Sequence, residues 1–241
     1  MSASPDSPAA AAPARPAQAL LSIRVWDLPT RLFHWLLAAC VIGLVITGNI
    51  GGNAMIWHFR LGYAVLALLL FRIVWGLVGG RWSRFASFVR GPQTVLRYLR
   101  GQAADHEHLD VGHNPLGAFS VLAMLAVLAL QVACGLVADD EIANVGPLNR
   151  FVSSELAELA TGWHKGPGKL LILALVLLHI GAIIFYRVRK QQNLVQPMLL
   201  GDKQLPPGTP QARDDRVTRA GAMLLFLAAL AAAVLVASLA P

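Results

Sequence analysis

Charge is scarce in this chain: Asp, Glu, Lys and Arg make up 14% of its 241 residues, where soluble domains carry about a quarter. Five long apolar stretches, at residues 32–48, 57–79, 115–137, 168–186 and 220–240, contain no Asp or Glu. That lack weakens any reading as a transporter or channel whose proton or ion path runs over membrane carboxylates. Cysteine is nearly absent. Cys40 and Cys134 both sit inside apolar runs without ligand partners at metal spacing, so they read as small buried hydrophobes rather than a disulfide. Residues 1–22 begin with Ala, Pro and Ser and lack the apolar centre of a signal peptide. Disorder is expected there.

What the chain does have is hydrophobic residues, 56% of positions, gathered into runs near the ~20 residues that carry an α-helix across ~30 Å of hydrocarbon. The fold class expected is therefore all-α, an integral membrane helix bundle. Residues 23–203 would form a four-helix core, and 204–241 a linker with a fifth, C-terminal span. The net charge of +7 does not point to nucleic acid, because the cations lie between apolar runs. Arg24 and Arg31 precede the first span; Arg81, Arg84, Arg90, Arg97 and Arg100 follow the second; Arg187, Arg189, Lys190, Lys203, Arg213, Arg216 and Arg219 follow the fourth. The other links are uncharged or acidic. By the bias of basic residues toward cytoplasmic loops, the N-terminus is expected inside and the C-terminus in the periplasm. Residues 82–100 mix aromatics and leucines with arginine, as a segment lying on the inner leaflet would. Residues 147–159 read as a short amphipathic helix on the outer side.

Histidine carries the chemistry. His34, His58, His164 and His179 occur in or at the mouths of apolar helices, where an imidazole without partners is costly. With the topology above, His34 and His179 share the inner half of the bilayer, while His58 and His164 share the outer side. Two pairs at two depths are what two bis-histidine haems require. Such ligation fills both axial positions of each iron and suits electron transfer. Arg72 stands level with His179 and Arg60 near His58. Each suits a haem propionate, with headgroup snorkelling or a loop carboxylate as structural alternatives. Gly62, one turn after His58, allows either a porphyrin or a neighbouring helix to approach. His106, His108 and His113 lie among Asp105, Glu107 and Asp110 and look solvated. For His113, beside Asn114 and Pro115, the readings are a helix cap or a quinone contact, the cap being the simpler. Pro167 requires the fourth helix to begin near it, leaving His164 on the preceding turn.

Several stretches resemble one family. Residues Val25-Trp26-Asp27-Leu28-Pro29-Thr30-Arg31-Leu32-Phe33-His34-Trp35 are similar to the first-helix signature of bacterial di-haem cytochrome b561 proteins, which include the cytochrome b subunits of nickel–iron hydrogenases. Similar matches are His58 with Leu61-Gly62-Tyr63, Phe71-Arg72-Ile73-Val74-Trp75-Gly76, Arg84-Phe85 with Phe88-Val89-Arg90-Gly91-Pro92, Gly112-His113-Asn114-Pro115-Leu116-Gly117, and His179 through Asn193-Leu194-Val195-Gln196-Pro197-Met198. The resemblance covers about 23–203. It implies a four-helix core with two b haems, ligands at His34, His58, His164 and His179, and electron exchange between a redox partner and membrane quinone.

The expected function is thus electron relay in the bacterial inner membrane, with haem b as cofactor and quinone as redox substrate. The expected partner is a periplasmic redox protein or a dehydrogenase or hydrogenase subunit. Whether the chain is itself an enzyme stays open. The alternatives are a self-contained quinone-linked oxidoreductase, such as a superoxide oxidase, and a haem-free transporter or membrane anchor.

Overall fold

The computed structural model describes residues 19–102 and 107–240; the expected disorder of residues 1–18 lies outside this range. Among the described residues five helices are long and apolar enough to cross a membrane: α1 Leu28–Ile50, α2 Met55–Val78, α5 Pro115–Val137, α7 Pro167–Arg189 and α9 Arg216–Ala237. Between them lie the short α3 Phe85–Phe88, α4 Pro92–Leu99, α6 Ser154–Lys165 and α8 Val195–Leu200.

The helix starts follow from local chemistry. Asp27, Asn114 and Asp215 cap α1, α5 and α9 through side-chain oxygens that accept from Thr30, Gly117 and Thr218 amides, filling donors that a helix N-terminus leaves free. Capping begins α1 at Leu28 and α9 at Arg216, each four residues before its apolar run. The α1–α2 turn passes through Gly51 and Gly52 with φ of +67° and +52°, a conformation only glycine enters freely. It reverses the chain within the membrane-exit zone.

The α1 and α2 helices pack side by side, α9 packs on α2, and α5, α6 and α7 pack on one another, with α2 also touching α5. Ala222, Ala229 and Ala233 are buried on α9, small residues that allow close helix approach. Phe33, Leu68, Phe71 and Trp75 complete that seam. In contrast, α1 and α7 are not among the closely packed helix pairs.

At the basic end the chain makes a small plate. Strand β1, Leu21–Arg24, pairs antiparallel with β2, Asp202–Leu205. Leu21 and Ser22, grouped by composition with the disordered start, thus gain strand partners in Leu205 and Gln204. The Val25 and Trp26 amides donate to the Gly201 carbonyl at 2.9 and 3.0 Å. Arg24 bridges Asp202 at 2.7 Å and Asp214 at 3.1 Å, and Asp214 also receives the Leu28 amide and Arg219. Burial pushes the Asp214 carboxyl up, but hydrogen bonds from Arg219 and the Leu28 amide, with the charges of Arg219 and Arg24, hold it below its ordinary value. A carboxylate depressed in the folded state stabilises above its unfolded pKa of about 3.9 and loses that contribution as pH falls through the folded value. The thermal midpoint should therefore fall between pH 5 and pH 3, and Asp214→Asn should show a smaller fall. An equal fall in both proteins, followed by tryptophan fluorescence, would remove Asp214 as its cause.

Candidate functional site

The four membrane histidines meet in two pairs. His34, in the second turn of α1, faces His179, midway along α7, with ring centroids 6.3 Å apart. His58, in the first turn of α2, faces His164, in the last turn of α6, at 6.0 Å and nearly perpendicular. A metal–imidazole bond of about 2.0–2.1 Å, with the ring nitrogen about 1.1 Å from its centroid, separates two trans imidazoles by roughly 6.3 Å. Both spacings are of the size that two imidazoles sharing one metal ion would have. All four rings are only half-buried, and among the described residues none is taken up by a neighbouring carboxylate.

The two pairs differ in support. His58 Nδ1 lies 3.1 Å from the Leu44 carbonyl and 3.3 Å from Thr47 Oγ1, and His164 Nδ1 lies 2.8 Å from the Gln131 carbonyl. Gln131 also donates its amide to the His164 carbonyl at 2.8 Å. Donation from Nδ1–H to a carbonyl fixes the tautomer and leaves the Nε2 lone pair free for a metal. Glycines make room for both rings: a Cβ at Gly135 would come within 2.8 Å of His164 Cε1, and one at Gly48 within 3.1 Å of His58 Cε1. His34 Nδ1, in contrast, is sealed and has no partner among the described residues. Gly48 follows His34 by fourteen residues, so the two layers lie about 21 Å apart along α1.

The end of α6 explains how His164 reaches its partner. Pro167 sits at the start of α7, and Gly166 breaks the chain between the two helices. His164 therefore belongs to α6, which begins only at Ser154, later than the helix expected at 147–159, and runs past it to Lys165.

At the start of α1 lies a polar cluster. Arg72 is 3% exposed, with its guanidinium over Phe85 at 4.8 Å and Phe33 at 5.9 Å. Its Nη1 is buried without a partner. Asp27, fully buried, accepts from the Thr30 amide at 2.8 Å, Trp75 Nε1 at 3.2 Å and Ser83 Oγ at 2.6 Å. Nothing in the sequence alone showed that one carboxylate joins α1, α2 and the 81–83 turn. The Asp-Leu-Pro order is a signal for a helix cap and for nothing more. Phe85 closes over Gly76, whose missing side chain admits the ring.

His113 departs from its expected place. Asn114, not His113, caps α5, because an N-cap needs a side-chain acceptor within reach of the next amides. His113 is not solvated either: its ring packs against Trp26 at 4.7 Å and Phe88 at 4.9 Å, and Nδ1 is sealed without a partner. Burial first, then the charge of Arg72, pulls this imidazole down to about 3, so it is neutral at any physiological pH. His108 stays partly exposed, and His106 lies outside the described residues. Arg60 follows His58 by two residues, roughly 200° around the helix, and stacks over Trp57 at 5.0 Å. Gly62 has open space beside it.

The family profile described as prokaryotic cytochrome b561 matches residues 25–201. The chain belongs to this family. By its family and its apolar helices it is a multi-pass membrane b-type cytochrome. This cytochrome b561 is 23% identical over 235 residues to the "Probable Ni/Fe-hydrogenase B-type cytochrome subunit" of Bradyrhizobium diazoefficiens, covering 84% of this chain and 95% of the relative. It is 26% identical over 208 residues to the protein of the same name from Cupriavidus necator, covering 73% and 85%. The "Probable Ni/Fe-hydrogenase 1 B-type cytochrome subunit" of Escherichia coli is 26% identical over 141 residues, 48% of this chain, and the match spans 60% of that relative's length.

Proposed function

We propose that this cytochrome b561 is a di-haem electron relay in the bacterial inner membrane, joining an external redox partner to the quinone pool. The observation that carries the reading is the ring spacing of 6.3 and 6.0 Å in two layers. His34 and His179 would hold the inner haem and His58 and His164 the outer one. When bound, the haems supply two one-electron centres. The protein's residues set their environment.

Carbonyl-bound Nδ1–H groups make His58 and His164 the more electron-donating ligands, which favours the oxidised state of the outer centre. His34 lacks that support, and Arg72 brings positive charge near the inner pair, favouring reduction there. The unpartnered Nη1 of Arg72 suits a propionate oxygen; Arg60, turned over Trp57, suits the lipid headgroups instead. Electrons would run from the outer pair to the inner one. A quinone headgroup would approach from the basic end, near His113. With basic loops inside, the donor docks outside, and the names of the relatives support a hydrogenase-type partner.

A haem assay with a reduced-minus-oxidised spectrum of the purified protein tests the reading: two low-spin haems per chain are expected, the lower-potential one assigned to His58/His164. A colourless preparation from haem-replete cells would end it. Gly135→Val, which thrusts a side chain against His164, should leave one haem per chain; retention of both would show that the ring has room to move. In intact cells an impermeant thiol reagent should label Asn144→Cys but not Ser87→Cys. The opposite pattern would invert the orientation. Reduction of the haems by hydrogenase and hydrogen, absent with hydrogenase omitted, is the test for the partner.

A further inference from the structure

We propose that a cavity at the basic end of the bundle, under residues 81–90, binds the phosphate headgroup of an anionic phospholipid. The cavity is about 490 Å³ and is walled by Arg81, Arg84 and Arg90 with Trp82, Thr94 and His108. None of these three arginines takes part in an ion pair among the described residues. Glu107, also on the wall, has its carboxylate on Arg97. Arg90 donates from Nη2 to the Ser87 carbonyl at 2.8 Å, while its Nε is sealed from solvent without a partner. Three like charges around one space, against the single carboxylate of Glu107 on its wall, repel one another. A phosphate, which can accept paired donors from each planar guanidinium, relieves that repulsion.

The surroundings select a lipid as the source of that phosphate. Val89, Leu96 and Leu99, on and beside α3 and α4, are 48%, 47% and 57% exposed, whereas Arg97 and Arg100 carry charge on the same segment. An amphipathic stretch of this kind lies in the plane of the headgroups with its apolar side in the acyl boundary. A basic pocket at that depth collects acidic lipid headgroups. The site uses no haem ligand, so it stands or falls apart from the relay.

The test is native mass spectrometry of the haem-loaded full chain with phosphatidylglycerol or phosphatidylcholine. Phosphatidylglycerol should be retained and phosphatidylcholine should not. Arg81→Gln, Arg84→Gln and Arg90→Gln should each weaken retention about five-fold and the triple variant about a hundred-fold, with the haem spectrum unchanged. Arg216→Gln, basic but outside the cavity, should bind as the parent does. Equal binding of the two lipids, or a triple variant that keeps phosphatidylglycerol, overturns the proposal. Displacement of the lipid by millimolar inorganic phosphate assigns the cavity to a free anion and overturns the lipid source. If the triple variant fails to fold, the Arg90→Gln arm decides.

Discussion

Replacing His34 or His179 with alanine should remove one haem of two, leaving the other spectrally unchanged. The rings face each other across helices that are not closely packed, so no backbone interface holds the pair once an imidazole is gone. The second pair lies about 21 Å away along α1 and draws its support from Leu44 and Gln131 carbonyls, which the change does not touch. Residues that act as a unit are non-additive: the His34→Ala/His179→Ala double variant should hold as much haem as either single one. His108→Ala, outside both pairs, should keep two. Haem per chain, with the potential of the remaining centre, is the measurement. Two haems retained in either single variant would defeat the inner pairing.

Asp27→Ala should be the most destabilising exchange outside the histidines, about 3–5 kcal/mol, the range found when one partner of a buried charge is removed. Three donors would lose their acceptor at once: the Thr30 amide, Trp75 Nε1 and Ser83 Oγ. Each buried donor left unsatisfied costs roughly 1–3 kcal/mol. Arg72, for which Asp27 is a nearby countercharge, would be left buried and uncompensated. Asp27→Asn keeps an acceptor for Thr30 and Trp75, so it should cost less than the alanine variant, while Trp75→Phe removes a single bond and should cost about 1 kcal/mol. Unfolding in detergent, followed by tryptophan fluorescence and haem release, orders the three. An alanine variant as stable as the parent would show that the cluster is solvated in the membrane.

The spans were legible because length and hydropathy decide them, and depth along each span told which histidine rings approach one another. Pro167 also marked where α7 begins. Other features depend on contacts distant in sequence. Residues 21–24 pair with 202–205, and no local pattern in Leu-Ser-Ile-Arg announces that strand. His113 looked exposed among acidic neighbours, yet Trp26 and Phe88 cover it; the signal available was the apolar Trp26, too far along the chain to be assigned. Nothing in the sequence sets Gly48 and Gly135 apart; only the fold brings His58 and His164 against them. The role of α9 was equally hidden. Its alanines are spaced for close approach, but their partner on α2 is set only by the folded bundle.

The break at Gly166 has a consequence for biosynthesis. Ribosomes deliver chains from the N-terminus, so His58 and His164 are both made before the last core helix leaves the insertion machinery, whereas His34 must wait for His179. In the proposed di-haem arrangement the His58/His164 site would therefore be complete while translation is still under way, and the His34/His179 site would close last, joining the first span to the fourth.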